Sequence, residues 1–342
     1  MNYHLGLLVL FVVLSGCSQR MYDVAYPTLS DGKYDSEFPY RNASSQLAAV
    51  SETIKMVNVI AYYKTYRFAV SDGIQREDLT RALAEEKAIS TDYFNETASG
   101  TATVIDREGR RVAVLTCAHT VNFPDTVISL FPHSSQTIQS VAFKEKQINY
   151  IRDLPEGGDL DILAMDPAID VAVLGQTFSV PVEGFLPVFH YPLGQGKALE
   201  WGAFVYVIGY PMGYQMITKG IVSSPNRDGQ GSFLIDAPFN RGFSGGVVLA
   251  IRDGVPNFEL VGMAKSVAAD YENIIIPEPQ SSGQRYDPHL PYTGDLFVKS
   301  NVVIKYGITH VISAELIQNF FARYQADLEQ KGFYFRHLQP PN

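Results

Sequence analysis

Asn240-Arg241-Gly242-Phe243-Ser244-Gly245-Gly246 sets one hydroxyl between glycines, immediately before the apolar run 247–251. Glycine lets a backbone turn tightly and approach another group closely, so such a turn can aim amide N–H groups at the negative oxygen that develops in acyl transfer. The two amides placed to do so are those of Gly242 and of Ser244 itself. A serine hydroxyl is inert at neutral pH until a base takes its proton, and the base needs a third group to fix its tautomer. Both types are present. Val114-Leu115-Thr116-Cys117-Ala118-His119 reads as a strand ending in a histidine, and Asp166-Pro167-Ala168-Ile169-Asp170 leads into the apolar run 171–174. Each segment alone has an ordinary reading as a β-turn, a surface histidine or a turn aspartate. Together, in the order His119, Asp170, Ser244, they supply a general base, its orienter and a nucleophile.

The elements around them are short apolar runs between turn signals: 101–105, 112–116, 127–131, 161–164, 171–174, 204–208, 217–222, 233–236, 247–251 and 260–264. A β-branched and aromatic run at 56–68 precedes them. Regular spacing of short strands argues for an antiparallel barrel or sandwich rather than βαβ units. Residues 242–246 also fit the letters G-x-S-x-G, but that elbow leads into a helix and here a strand-like run follows. Residues 78–87 carry good helix formers behind an acidic start, which predicts a short N-terminal helical insertion. Ser313 is placed to cap a C-terminal helix whose apolar residues Leu316, Ile317, Phe320, Phe321, Tyr324 and Leu328 share one face. Residues 18–45 read as a tether, 267–307 as a long loop rich in Pro and Gly, and 329–342 as a tail.

The 342 residues are 46% hydrophobic and 18% charged, which suits a folded core and not a disordered chain. A net charge of −9 argues against nucleic acid as a partner. The two cysteines, Cys17 and Cys117, exclude a disulfide framework. The histidines show no metal-ligand spacing and no cysteine pair is available, so no metal is expected. Residues 5–14 (LGLLVLFVVL) are half of what a bilayer-crossing helix needs and read as the core of an export signal. Leu14-Ser15-Gly16-Cys17 resembles the lipobox of bacterial lipoproteins. That resemblance implies cleavage before Cys17, a lipid anchor on its sulfur and, with Ser18 following, an outer-membrane address facing the periplasm.

Residues 115–121 (LTCAHTV), 170–174 (DVAVL), 209–213 (GYPMG), 220–223 (GIVS) and 236–246 (DAPFNRGFSGG) resemble successive blocks of the HtrA-type trypsin-like serine peptidases. The strand at 260–263 and the segment 307–314 match further blocks, so the likeness runs from about residue 56 to 323. It implies an all-β fold, the chymotrypsin/trypsin-like double antiparallel β-barrel, with the domain at 46–328 and the site between the barrels. The chain order of the three candidate residues is that of the family. The implied activity is a serine endopeptidase acting on envelope polypeptides through an acyl-enzyme, without metal, nucleotide or other cofactor. His119 is the implied base, Asp170 its orienter, Ser244 the nucleophile, and the N–H groups of Gly242 and Ser244 the oxyanion hole. Ala264, Lys265, Ser266 and Val267 are the implied wall of the primary specificity pocket, and the family suggests homo-oligomers. Two departures stand out. Phe243 replaces the usual Asn or Asp before the nucleophile, which leaves open an oxyanion hole formed only on binding, and with it a catalytically weak or inactive adaptor on the same scaffold. Beyond Leu328 too few residues follow for the peptide-binding PDZ domain that relatives often carry.

Overall fold

The computed structural model describes residues 30–132, 134, 136–182, 186–238, 240–277, 287, 289–335 and 338, with backbone alone at 266–271, 300 and 302–306. Two sheets make the fold. The first contains β1 (Ile54–Arg67), β2 (Ser90–Glu108), β3 (Arg111–Cys117), β4 (Thr126–Leu130), β5 (Ile138–Tyr150), β6 (Asp161–Asp166) and β7 (Val171–Thr177). Its order is β4-β5-β1-β2-β3-β7-β6, a curled half-barrel. The second comprises β8 (Phe204–Gly209), β9 (Met216–Ser224), β10 (Phe233–Ile235), β11 (Val247–Ile251), β12 (Phe258–Pro277) and β13 (Leu296–Ser313), closed in the order β10-β13-β12-β11-β8-β9. All named pairings are antiparallel, the arrangement that turns between successive strands allow. The fold is the expected chymotrypsin-like pair of β layers.

Each half has its own core. Val57, Val104, Val114, Ala172 and Leu174 fill the first, and Val205, Val222, Phe233, Phe243, Val248 and Val261 the second. A third cluster joins them: Leu115, Cys117 and Val173 from the first sheet meet Met263 and Ile312 from the second. Over this seam lie the helices α4 (Ala314–Arg323) and α5 (Gln325–Gln330), preceded in the chain by α1 (Ser44–Thr53), α2 (Arg81–Lys87) and α3 (Ala118–Val121). The α4 N-terminus is set by Ser313, whose hydroxyl accepts the Leu316 amide at 3.3 Å. Its apolar face then buries Ile317, Phe320 and Phe321 in the seam. Thr80 caps α2 in the same way, accepting from Leu83 N at 3.1 Å.

Three boundaries differ from expectation. Residues 18–45 are not a free tether throughout. Tyr34 is buried, its hydroxyl donates to Glu259 at 2.5 Å, and Asp35 N donates to Ile251 O at 2.9 Å. The stretch 267–307 is not a loop throughout: β12 and β13 stay paired from Gly262↔Ser313 out to Pro277↔Leu296. The segment 329–342 is not a free tail, because Phe333, Phe335 and Leu338 complete the seam cluster. In the first and third cases aromatic or apolar residues spaced irregularly in sequence find a surface built by other elements, whereas the β12–β13 extension is held by its own ladder with Ile275 and Val298 exposed. The export signal and Cys17 lie outside the described residues.

Candidate active site

The register of β3 on β7 positions the first two residues. Cys117 pairs with Val171, so the end of one strand lies opposite the start of its neighbour. His119 leaves β3 in the single turn of α3, and Asp170 enters β7 from the preceding turn. Asp170 holds a left-handed conformation, φ 64°, which a short polar side chain tolerates better than most. That turn brings its carboxylate back onto the histidine. Oδ2 lies 2.8 Å from His119 Nδ1, and Oδ1 accepts the His119 backbone N–H at 2.8 Å. An ionised carboxylate only accepts, so Nδ1 carries the ring proton and Nε2 is left as the free acceptor. Asp170 is buried while the imidazole is half exposed.

Ser244 comes from the second barrel, in the turn before β11. Its carbonyl accepts Thr101 N at 2.7 Å, Gly245 N donates to Ala264 O at 2.9 Å, and Ala264 N donates to Gly246 O at 2.8 Å. The turn is therefore stitched to β2 of the first sheet and to β12 of its own barrel. Three glycines are demanded by space, Gly246 among them because a Cβ there would sit 2.7 Å from Ile208 O. A Cβ on Gly242 (φ 101°) would sit 2.3 Å from Tyr210 O, and one on Gly245 (φ 90°) 1.9 Å from Thr101 O. The Ser244 hydroxyl donates to Lys265 O at 3.1 Å. One such bond is worth about 0.5–1.5 kcal/mol net, so a staggered rotation about χ1 frees the hydroxyl at little cost.

The amides of this turn divide cleanly. Those of Phe243, Gly245 and Gly246 are hydrogen-bonded, whereas those of Gly242 and Ser244 make no hydrogen bond among the described residues. Buried amides are nearly always paired, so two open donors flanking a nucleophile-type side chain mark a place for an acceptor. The peptide before Gly242 is held from its other side, since Arg241 O accepts Met212 N at 2.8 Å. In a trans peptide the N–H points opposite the carbonyl, so this bond fixes where the Gly242 N–H faces. The next carbonyl, Gly242 O, accepts the Thr101 hydroxyl at 2.6 Å, and that hydroxyl oxygen accepts Tyr210 N at 2.9 Å. Phe243 makes no polar substitute for Asn or Asp; its ring is buried in the second core. Thr101 is a positioning residue that the sequence reading missed.

Lys265 presents its carbonyl to Ser244 and its ammonium, 3.9 Å away, to Asp170 Oδ2. Ala264 is a core residue, and the side chains of Ser266 and Val267 lie outside the described residues. Cys117 Sγ, His119 and Asp170 place possible ligand atoms within 4.8 Å of one another. Burial, with the Asp170 charge behind it, pushes the Cys117 thiol well up, so it stays protonated and donates to Ala264 O at 3.5 Å. A metal requires the thiolate, and here Nδ1 and the carboxylate are already engaged with each other. The trio fits a hydrogen-bonded pair beside a small core residue.

No curated protein matches the chain. Among solved structures, a crystal structure of Deg5 is similar at a TM-score of 0.35 and 17% sequence identity, over 65% of this chain and 83% of that one. Residues 100–263, which hold His119, Asp170, Ser244 and the strands that carry them, match the family described as the trypsin-like peptidase domain. With its half-barrel and closed barrel meeting at that segment, the protein carries a trypsin-like peptidase domain.

Proposed function

We propose that the protein is a serine endopeptidase of the HtrA kind, with His119 as general base, Asp170 as its orienter and Ser244 as nucleophile. The observation that carries this reading is the His119–Asp170 pair at 2.8 Å beside a serine turn whose two open amides, Gly242 and Ser244, flank the hydroxyl. In the reaction Ser244 Oγ attacks the scissile carbonyl carbon while His119 Nε2 takes the hydroxyl proton. The carbonyl π electrons move onto oxygen, where the two amides stabilise them. The imidazolium, steadied by Asp170, then gives its proton to the leaving amine as the C–N bond breaks. Water, deprotonated by the same nitrogen, releases the acyl group and regenerates the hydroxyl. Side chains and backbone carry every step, and each open amide of this kind is typically worth about 10²–10³ in turnover.

An active-site fluorophosphonate tests it. The full chain is expected to be labelled at Ser244, with no label on Ser244→Ala and little on His119→Ala, and to cleave casein or a labelled peptide. An unlabelled wild-type chain refutes the peptidase reading. It would favour a trypsin-fold binding protein, the alternative to which the Ser244 hydroxyl lends support by resting on Lys265 O rather than on His119 Nε2. The location proposed is the bacterial envelope, with Cys17 lipidated and the domain facing the periplasm. That part draws on the run 5–14 and the lipobox-like residues alone.

A further inference from the structure

Beside Ala168 and Ile169, which lead into Asp170, the chain forms an open concavity of about 330 Å³. Its rim brings together nitrogen groups from three elements: Arg227 from the β9–β10 turn, Lys265 from β12 and His310 from β13. Leu316 and Ile312 supply an apolar floor. For a chain of net charge −9 this gathers two cations and an imidazole, with the Lys265–Asp170 contact as their one ion pair among the described residues. The Arg227 and His310 side chains make no hydrogen bond or ion pair among the described residues, and Lys265 reaches Asp170 only at 3.9 Å.

Asp228 lines the concavity as well, and the carboxylates around it are hydrogen-bonded or paired. Asp228 accepts Gln230 N at 2.8 Å and Ser232 N at 3.1 Å, and Asp170 is engaged with His119. Glu315 accepts Gly196 N and Lys197 N, and Asp166 pairs with Arg323 at 2.5 Å. Burial, and then the charges of Arg227 and Lys265, hold His310 below the usual imidazole range, so the imidazole feels both cations.

We propose that this concavity is a binding site for a small oxyanion, a carboxylate or phosphate group, and that its occupancy reaches His119 through Lys265 and Asp170. The second half of this inference rests on the catalytic reading of the triad. A cation beside Asp170 weakens the carboxylate's hold on the imidazolium that forms during catalysis. An anion between Arg227, Lys265 and His310 takes up that charge and restores the hold. The Lys265 ammonium lies within about 7 Å of the His119 ring by way of Asp170, a range at which one unit charge moves a titration by about half a unit to one unit.

Titration calorimetry on the full chain in detergent, with inorganic phosphate and separately with sodium acetate at constant ionic strength, tests the site. One saturable event per chain is expected, weakened at least tenfold in Arg227→Gln and in Lys265→Met and unchanged in Ser244→Ala. The tighter of the two probes distinguishes a phosphate from a carboxylate site. No saturable heat with either probe, or equal binding in wild type and both variants, overturns the proposal. The acid limb of the peptidase pH profile tests the communication. With the binding probe present its midpoint is expected to rise by about half a unit in wild type. Lys265→Met is expected to show the raised midpoint without the probe and no response to it. A wild-type midpoint indifferent to a bound probe overturns the link between site and triad. Failure of Ser244 to react with the fluorophosphonate strikes the catalytic reading alone, because the calorimetry does not depend on it.

Discussion

Thr101→Val isolates the contact between the two halves that holds the Ser244 turn in shape. The substitution keeps the β-branched outline in β2 and removes one oxygen, which donates to Gly242 O at 2.6 Å and accepts Tyr210 N at 2.9 Å. Thr101 is fully buried, so water cannot replace the hydroxyl without displacing its neighbours. Each orphaned partner costs about 1–3 kcal/mol, which puts the loss of stability at about 2–6 kcal/mol for the two. The turn recovers part of this by shifting the peptide after Gly242, and that shift moves the open Gly242 amide. Losing such a donor outright costs about 10²–10³ in turnover; displacing it should cost about ten- to a hundredfold. In the proposed mechanism the interaction is made with the transition state, so the loss belongs in kcat with KM nearly unchanged. The assay is urea unfolding together with peptide cleavage well below the unfolding midpoint, with Thr101→Ser alongside. Serine restores the hydroxyl and gives up only a methyl, so it is expected to recover most of the rate. Wild-type stability and wild-type kcat in Thr101→Val would refute the reasoning that this hydroxyl organises the turn.

Further outcomes follow from the same geometry. Gly242→Ala drives a Cβ to 2.3 Å from Tyr210 O, and the fluorophosphonate labelling rate is expected to fall at least a hundredfold while the far-ultraviolet circular dichroism stays that of the wild type. Burial, opposed in part by the Gly254 amide, pushes the Asp35 carboxyl up from 3.8 to about 6. A raised folded value means the contribution to stability is present below pH 3.8 and is lost as pH rises through 6, at most about 3 kcal/mol. Asp35→Asn keeps an acceptor for Gly254 N and is expected to be the more stable form at pH 7.5 and little different at pH 3.5. Equal urea midpoints for the two proteins at pH 7.5 would count against a charged, buried Asp35. Cys17→Ala is expected to move the protein from the detergent-requiring to the soluble fraction of cells, and an unchanged fractionation would remove the lipid anchor from the proposal.

Much of the site could be read before the fold, for a physical reason. A histidine at the end of β3 and an aspartate at the start of β7 need only one strand pairing to meet, and glycines around Ser244 announce a turn too tight for side chains. Thr101 was illegible because a threonine in an apolar run reads as β-propensity; its hydroxyl acquires a role only when Gly242, 141 positions away, arrives beside it. The strand Ile138–Tyr150 was missed because Lys144, Glu145 and Lys146 interrupt its apolar pattern, although one flank is buried against β1. Helix Ser44–Thr53 has no side-chain cap and only Val50 and Thr53 fully buried, so little in its sequence marks its ends. The β12–β13 hairpin hid behind the prolines and glycines of 277–294, which speak for a turn and mask the long strands on either side of it.

The C-terminal helices and Phe333, Phe335 and Leu338 rest on both sheets at once. A chain made from its N-terminus has emitted Ser244 some seventy residues before this clamp begins at Ala314. The seam between the halves is thus closed only after both sheets have been made. On the proposed reading, a nucleophile made early waits for a late element before it stands in a finished peptidase.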